Sequence, residues 1–368
     1  YFTPILGGML ADRVLGKRRA IIIGASVMAA GHFMMTFDAL FYLALATIAL
    51  GNGLFLPTLP SQVGDLYARG DARRGWAFNV YYVGINIGGF LAPLICGTVG
   101  ELYGWHYGFG LAGIGMLLGL AIYVGGARYL PPETLPARST VTTDAPRGLG
   151  RETILVLIGI GLAVTVFRAA YEQVGNTVAL WADSGVDRAA GGFLIPMTWF
   201  QSLNPLFVML LTPPLLAYWH RRAAAGIDQA PLRRMACGAL IVALAYLLLA
   251  AVGWTANGQV TGWIWLVLFF LVLTIGELFI LPTGLGLFAR LAPRHLGSTT
   301  VAAWFLVTFS GSLAAGLVGS LWSRFAPGAF FALLALLSAI AAGLLWRLHQ
   351  PMQAADRLHA MTPAPSAP

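Results

Sequence analysis

Charge is scarce in this sequence. Only 10% of the residues are Asp, Glu, Lys or Arg, against about 25% in a soluble domain, which leaves too little polar surface to cover a fold in water. Cysteine is nearly absent: Cys96 and Cys237 both fall in apolar helical sequence, which excludes a disulfide-stapled scaffold. No His-Glu-x-x-His run, no paired aspartates and no Cys/His cluster lies in the apolar stretches. Zinc chemistry and the nucleophile–base pairs of enzymes therefore have no candidate ligands or catalysts, and no metal or cofactor is expected. The rings of repeated polar residues that line a channel are missing as well. The surplus of 22 basic over 14 acidic residues is no nucleic-acid signature, because the basic residues sit in short loops.

What the sequence has in quantity is hydrocarbon, 58% of its residues being hydrophobic. Its apolar runs reach the roughly 20 residues that a helix needs to cross a bilayer, so the expected class is an all-α polytopic membrane protein. Hydropathy and breakers predict a stub at 1–10, then spans at 20–37, 40–62, 77–100 and 104–126. After 127–151, a polar stretch rich in Pro and Thr, come spans at 152–181, 192–219, 232–254, 262–290, 296–322 and 325–348. The expected division is a first helix bundle at 1–126, a cytoplasmic linker at 127–151, a second bundle at 152–348 and a disordered tail at 349–368. Transporters are commonly built from equal halves, so one helix and part of the next are expected ahead of Tyr1.

The basic residues fix an orientation. All of the 22 except Arg168, Arg188 and Arg324 fall in alternate loops or in the tail. By the positive-inside rule, 11–19, 63–76, 127–151, 220–231, 291–295 and the C-terminus face the cytoplasm, with the chain in the plasma (bacterial inner) membrane.

Three charges lie deep in apolar sequence: Arg168, Glu172 and Glu277. Each costs about 2.5–3.5 kcal/mol at a bilayer centre on insertion scales, and such residues are kept where they meet a partner or a water-filled cavity. Arg168 and Glu172, at i and i+4, fit a structural ion pair as well as a functional one. Glu277 has no partner on its own helix. Burial favours the neutral form of a carboxyl and a neighbouring arginine the charged form, so these groups suit proton exchange.

Two motifs stand out. Gly7–Arg19, GGMLADRVLGKRR, combines Gly8, Asp12, Arg13, Arg18 and Arg19; it resembles the loop signature of the major facilitator superfamily, which there controls the conformational switch. An ordinary basic loop is the plainer alternative. Phe78–Gly97 reads FNVYYVGINIGGFLAPLICG. Gly84 and Gly88 form a small-xxx-small face for helix packing, and Tyr82 and Asn86 share a face.

Tyr81-Tyr82-x-x-Ile85-Asn86-x-Gly88 resembles the fifth-helix signature of the proton-dependent oligopeptide transporter family. The likeness continues in Tyr171-Glu172-Gln173, in Gln201-Ser202-Leu203-Asn204-Pro205-Leu206, in Gly276-Glu277-Leu278 with Pro282, and in Trp304-Phe305-Leu306. The resemblance implies the major facilitator fold of two six-helix bundles, the first incomplete here. It implies a proton-coupled symporter that imports di- and tripeptides by alternating access and is not an enzyme. Tyr1, Tyr82, Asn86, Glu172, Asn204, Glu277 and Trp304 would bind substrate, and Arg168, Glu172 and Glu277 would couple protons. The implied partners are small peptides, protons and the lipid bilayer, with no nucleic acid, and the chain would be a monomer. Plainer roles stand beside these: Asn86 and Asn204 bonding neighbouring helices, Tyr82 and Trp304 as packing aromatics.

Two departures from the family pattern matter. Its Glu-x-x-Glu-Arg run is absent from this sequence, and Gly53-Leu54-Phe55-Leu56-Pro57-Thr58 stands where the family has Gly-Leu-Phe-Lys-Pro-Asn. The lysine that would pair with the glutamate at 172 is Leu56. Arg168, where the family more often has tryptophan, is expected to replace that cation. The lost lysine also keeps a second reading open, a facilitator of another small organic solute or drug.

Overall fold

A computed structural model describes residues 2–67, 71, 73–131, 151–226, 230–291 and 297–350. The helices are α1 (Thr3–Leu10), α2 (Lys17–Met34), α3 (Phe41–Asp65), α4 (Arg73–Ala92), α5 (Thr98–Tyr103), α6 (Trp105–Gly126) and α7 (Arg151–Tyr171). They continue with α8 (Thr177–Ser184), α9 (Met197–Gln201), α10 (Leu203–Ala224), α11 (Pro231–Thr255), α12 (Ile264–Leu291), α13 (Gly297–Gly319) and α14 (Pro327–Arg347). Two-residue strands are confined to the connections, Val186–Asp187 pairing in parallel with Thr261–Gly262 and Ala189–Ala190 antiparallel with Phe193–Leu194. Among the described residues eight helical segments are long and apolar enough to cross a membrane. Their outward positions carry exposed Leu43, Leu50, Leu118, Leu244 and Leu317, which suits lipid rather than water.

Changes of helical pitch fall in one expected loop and interrupt two of the expected spans. A π-turn at Ala11–Leu15 extends α1, so the stretch expected as the loop 11–19 is helical on both sides of Gly16. Gly16 makes the break with φ 79°, a left-handed conformation that costs glycine little. A second π-turn, Pro93–Gly97, joins α4 to α5; Pro93 has no N–H to give to the regular ladder. The third is a 3₁₀ turn at Glu172–Gly175, after which Asn176 (φ −122°, ψ −94°) separates α7 from α8. The span expected at 152–181 is thus two helices, broken at its own charged residues.

The chain packs as two compact units, Tyr1–Thr142 with Ile195–Leu206, and Thr143–Leu194 with Phe207–Pro368. Residues 195–206, expected within a second bundle at 152–348, cluster with the first unit instead, and hydrogen bonding supplies the reason. The Glu101 carboxylate accepts the backbone N–H of Met197 (2.9 Å), the N–H of Thr198 (2.8 Å) and the Thr198 hydroxyl (2.8 Å). It thereby caps donors that the start of α9 leaves unsatisfied. Trp199 Nε1 donates to Thr98 Oγ1 at 2.7 Å, and the Ser202 hydroxyl donates to the Phe90 carbonyl at 2.8 Å. Helix α10 therefore begins in the first unit and continues in the second.

In the first unit α2 packs on α3 and α6, and α1 on α3. Backbones touch at Gly24 and Gly51, where a Cβ on either would lie 2.8 or 2.7 Å from the other's carbonyl oxygen. Gly84 and Gly88 are different: a Cβ at either meets nothing within 4 Å. Among the described residues no helix comes within Cβ contact of this small-residue face. The basic motif staples helix ends here, with Lys17 paired to Asp65 and Arg18 Nη2 donating to the Ala127 carbonyl at 3.2 Å.

In the second unit α11 packs against α12 and α14, while α7 packs against α13 and α14. Fully buried Leu232, Met235, Tyr246, Phe269, Phe270, Phe330 and Phe331 fill it. Arginines serve as staples again: Arg234 lies 4.6 Å from the Trp219 ring centroid and Arg233 5.5 Å from that of Trp346. Cys96 and Cys237 are free thiols.

Candidate functional site

Arg168 and Glu172 form an ion pair along one face of α7 where it turns into the 3₁₀ segment. Its two members differ in exposure, the arginine side chain 9% accessible and the glutamate 30%. Glu172 is thus the more accessible member of the pair. The Arg168 stem lies against α13, where a Cβ on Gly311 would fall 2.6 Å from the arginine Cβ. Only glycine at 311 leaves the arginine this room.

Glu277 enters from α12. The residue before it, Gly276, is the point where α12 crosses α11: a Cβ there would sit 2.7 Å from the Gly238 carbonyl oxygen, and one on Gly238 2.6 Å from that of Gly276. This backbone contact fixes the depth at which the carboxylate projects. The Tyr171 hydroxyl donates a hydrogen bond to Glu277 and also stands within electrostatic reach of Arg168 and Glu172. One phenol is thus hydrogen-bonded to one carboxylate and within electrostatic reach of the other, and its ring stacks on Phe167 at 5.7 Å.

The pitch change beside Glu172 is held by polar side chains. The Tyr246 hydroxyl donates to the Ala170 carbonyl at 2.7 Å. Gln173, fully buried, donates from its amide to the carbonyls of Ala169 (3.2 Å) and Ala315 (2.7 Å), and its oxygen accepts from the Thr177 hydroxyl (3.1 Å). A broken helix in hydrocarbon needs such internal partners, since no water can supply them.

These residues give one cation, two carboxylates and two phenols inside apolar helices. Such a set can hold an ammonium group, exchange a proton and release a guanidinium. Residues 18–145 and 148–344 match the family model PTR2, described as the POT family. The chain belongs to the POT family.

Its relatives are named for transport. Peptide transporter YePEPT of Yersinia enterocolitica is 32% identical over 390 residues, covering 87% of this chain and 76% of its own. A di-/tripeptide transporter of Lactococcus lactis subsp. cremoris is 29% identical, covering 96% of this chain and 84% of its own. Among solved structures, a peptide transporter POT in complex with sulfate is 28% identical with a TM-score of 0.84, covering 95% of this chain and 84% of that one. A mutant form in complex with alafosfalin has the same TM-score at 29% identity. The POT relatives and the eight apolar spans make this a polytopic membrane protein of the major facilitator fold.

Of the residues singled out in the sequence, Arg168, Glu172 and Glu277 come together around Tyr171. Tyr82 and Asn86 share α4 in the first unit, where the Asn86 amide donates to the Tyr82 carbonyl at 2.9 Å. Asn86 therefore bonds its own helix, where a neighbouring helix was the plainer expectation. Asn204 is half-buried at the start of α10. Trp304 falls on α13, its side chain outside the described residues, and Tyr1 lies outside them altogether. Gly8, Asp12 and Arg13 are on the α1 end and its π-turn, and Arg18 and Arg19 on the first turn of α2. Sequence reading missed Tyr246, Gly311 and Glu101 and gave Tyr171 and Gln173 no role. Tyr171 and Gln173 flank Glu172, and that adjacency was the available signal; Tyr246 had none.

Proposed function

We propose that this chain is a proton-coupled symporter that imports di- and tripeptides across the bacterial inner membrane by alternating access. The observation that carries the reading is the buried Arg168–Glu172 pair beside the Tyr171–Glu277 hydrogen bond, in a member of the POT family. A peptide brings an ammonium and a carboxylate into a low-dielectric site, and both need partners there. Glu277 supplies the anion for the ammonium. Arginine has donors only, so its pairing with Glu172 holds while Glu172 is ionised. A proton on Glu172 removes the charge attraction, leaving only the weaker hydrogen bond to a neutral carboxyl, so the guanidinium can turn to the ionised peptide carboxylate. Reversing the step sheds proton and peptide together.

The phenol of Tyr171 both donates and accepts, so its contact with Glu277 survives protonation of that carboxyl. The two carboxylates therefore respond differently to a proton: the Glu172 pair loses its attraction between opposite charges, and the Tyr171–Glu277 contact has no such attraction to lose. Arg168 does the work of the cation missing at Leu56. Tyr82, Asn86, Asn204 and Trp304, with Tyr1, would complete the substrate site from other helices. The basic motif with Gly8, Asp12, Arg13, Arg18 and Arg19 would govern the switch between states, with its side of the membrane cytoplasmic and the chain acting as a monomer.

The test is uptake of a labelled dipeptide into proteoliposomes under an imposed proton gradient. Gradient-driven accumulation that dipeptides compete away is expected. Glu277→Gln should abolish it, and so should Arg168→Ala. Uptake that dipeptides fail to compete would favour another organic solute, the reading that Leu56 keeps open.

A further inference from the structure

Tyr246 is fully buried on α11, and its ring packs on Phe269 of α12 with centroids 5.3 Å apart. Phenylalanine would fill that space equally well. A hydroxyl is kept in such surroundings only with a partner, and here the partner is the Ala170 carbonyl at 2.7 Å, across the packing boundary on α7. Ala170 lies two residues before Glu172, at the point where α-helix gives way to 3₁₀. That change of pitch disturbs the regular i+4 pairing of the carbonyls around it. Gln173 restrains the neighbouring carbonyl of Ala169 and ties the same turn to Ala315 of α13. Tyr246 also stands within electrostatic reach of Glu172.

We propose that Tyr246 is a positioning residue for transport: by pinning the Ala170 carbonyl it sets the turn of α7 on which Arg168 and Glu172 face each other. The geometry of the ion pair is then fixed from α11, by a group that touches neither substrate nor the exchanged proton. The proposal rests on reading Arg168–Glu172 as the proton-coupled pair. Among the described residues, Arg168 pairs with Glu172, and Tyr171 on α7 and Tyr246 on α11 stand within its electrostatic reach; Glu277 on α12 bonds Tyr171, Gly311 on α13 meets the Arg168 stem and Ala315 bonds Gln173.

The experiment uses the full chain in lipid and compares it with Tyr246→Phe, which keeps the ring and deletes one hydroxyl. Infrared difference spectra recorded across pH follow the Glu172 carboxyl band, assigned by its loss in Glu172→Gln. This reading needs no transport. In Tyr246→Phe the protonation midpoint of the band is expected to move by about half a pH unit or more, the scale of a single weakened hydrogen-bonded contact. An unmoved midpoint overturns the proposal. Uptake gives the second arm: gradient-driven uptake should fall about fivefold, the weight of one hydrogen bond, while peptide counterflow without a gradient stays near wild type. An equal loss in both, tracking the amount of folded protein, also overturns it. Should Tyr246→Phe fail to accumulate, fluorotyrosine at 246 keeps the shape and alters the donor strength, and the same displaced midpoint is required of it. If wild type moves no dipeptide, the functional reading fails while the infrared comparison still decides the role of Tyr246.

Discussion

Arg168 and Glu172 stand one helical turn apart, and each is what makes the other tolerable inside apolar helices. Breaking a buried pair by removing one partner costs about 3–5 kcal/mol, and the 30% exposure of the Glu172 side chain makes that a ceiling here. Arg168→Ala should therefore lower thermal stability in detergent clearly, whereas the double change Arg168→Leu with Glu172→Leu should recover most of it. Dipeptide uptake should be lost in both. Recovered stability with lost uptake separates the functional from the structural role of the pair, and a double variant as unstable as the single one would contradict this. Gly311 is the companion case. A valine there would drive atoms into the Arg168 stem, an overpacking strain of about 1–3 kcal/mol. Gly311→Val should reduce uptake at saturating peptide more strongly than Gly311→Ala, and unaltered uptake in both would show that the arginine has room the geometry denies it.

At the scale of helices, the most specific device is the cap that Glu101 places on α9. Glu101→Ala strips partners from the N–H groups of Met197 and Thr198; the cost of about 1–3 kcal/mol for a fully buried unsatisfied donor is a ceiling for each, since both are only partly buried. Hydrogen exchange of residues 195–206 should accelerate, with α11 unchanged as internal reference; equal protection in variant and wild type would remove the cap from the account. Glu101→Gln retains acceptor capacity and should show an intermediate rate. The helices themselves were legible from sequence, since the span expected at 104–126 is α6 (Trp105–Gly126) and that at 232–254 is α11 (Pro231–Thr255). Hydropathy reads where a helix is apolar and says nothing of its hydrogen-bond register. For that reason the π-turns at 11–15 and 93–97 and the 3₁₀ turn at 172–175 could not be foreseen. Glycines illustrate a second limit. Gly84 and Gly88 carry the packing spacing and meet nothing among the described residues, while Gly238 and Gly276, on separate helices, hold α11 against α12. Close approach belongs to a pair of helices, and one strand of text shows only one of them. Glu101 was passed over because an acid at the end of a span looks the same whether it faces water or caps a helix.

For the molecule as a whole, the alternation of basic loops yields a sidedness that can be read chemically. In a background lacking Cys96 and Cys237, Asp71→Cys should react with a membrane-impermeant maleimide only after permeabilisation, and Asn257→Cys in intact cells. The opposite pattern would invert the proposed topology. The site itself was half legible. Its three charges announced themselves by their cost in hydrocarbon, as did the motifs around them. The phenols that join and hold them did not, because a tyrosine costs little in an apolar helix and draws no notice. Charge cost also bears on how the protein is made. Because Arg168 and Glu172 lie on one helix and neutralise each other, α7 can leave the insertion machinery as a segment without net internal charge, before any other part of the second unit exists. Glu277 has no basic residue within four positions of it on α12 and meets its phenol partner on α7, which is synthesised more than a hundred residues earlier and so precedes α12 into the bilayer. The order of the two helices along the chain is thus itself an assembly instruction: the segment that can enter lipid alone comes first and receives the one that cannot.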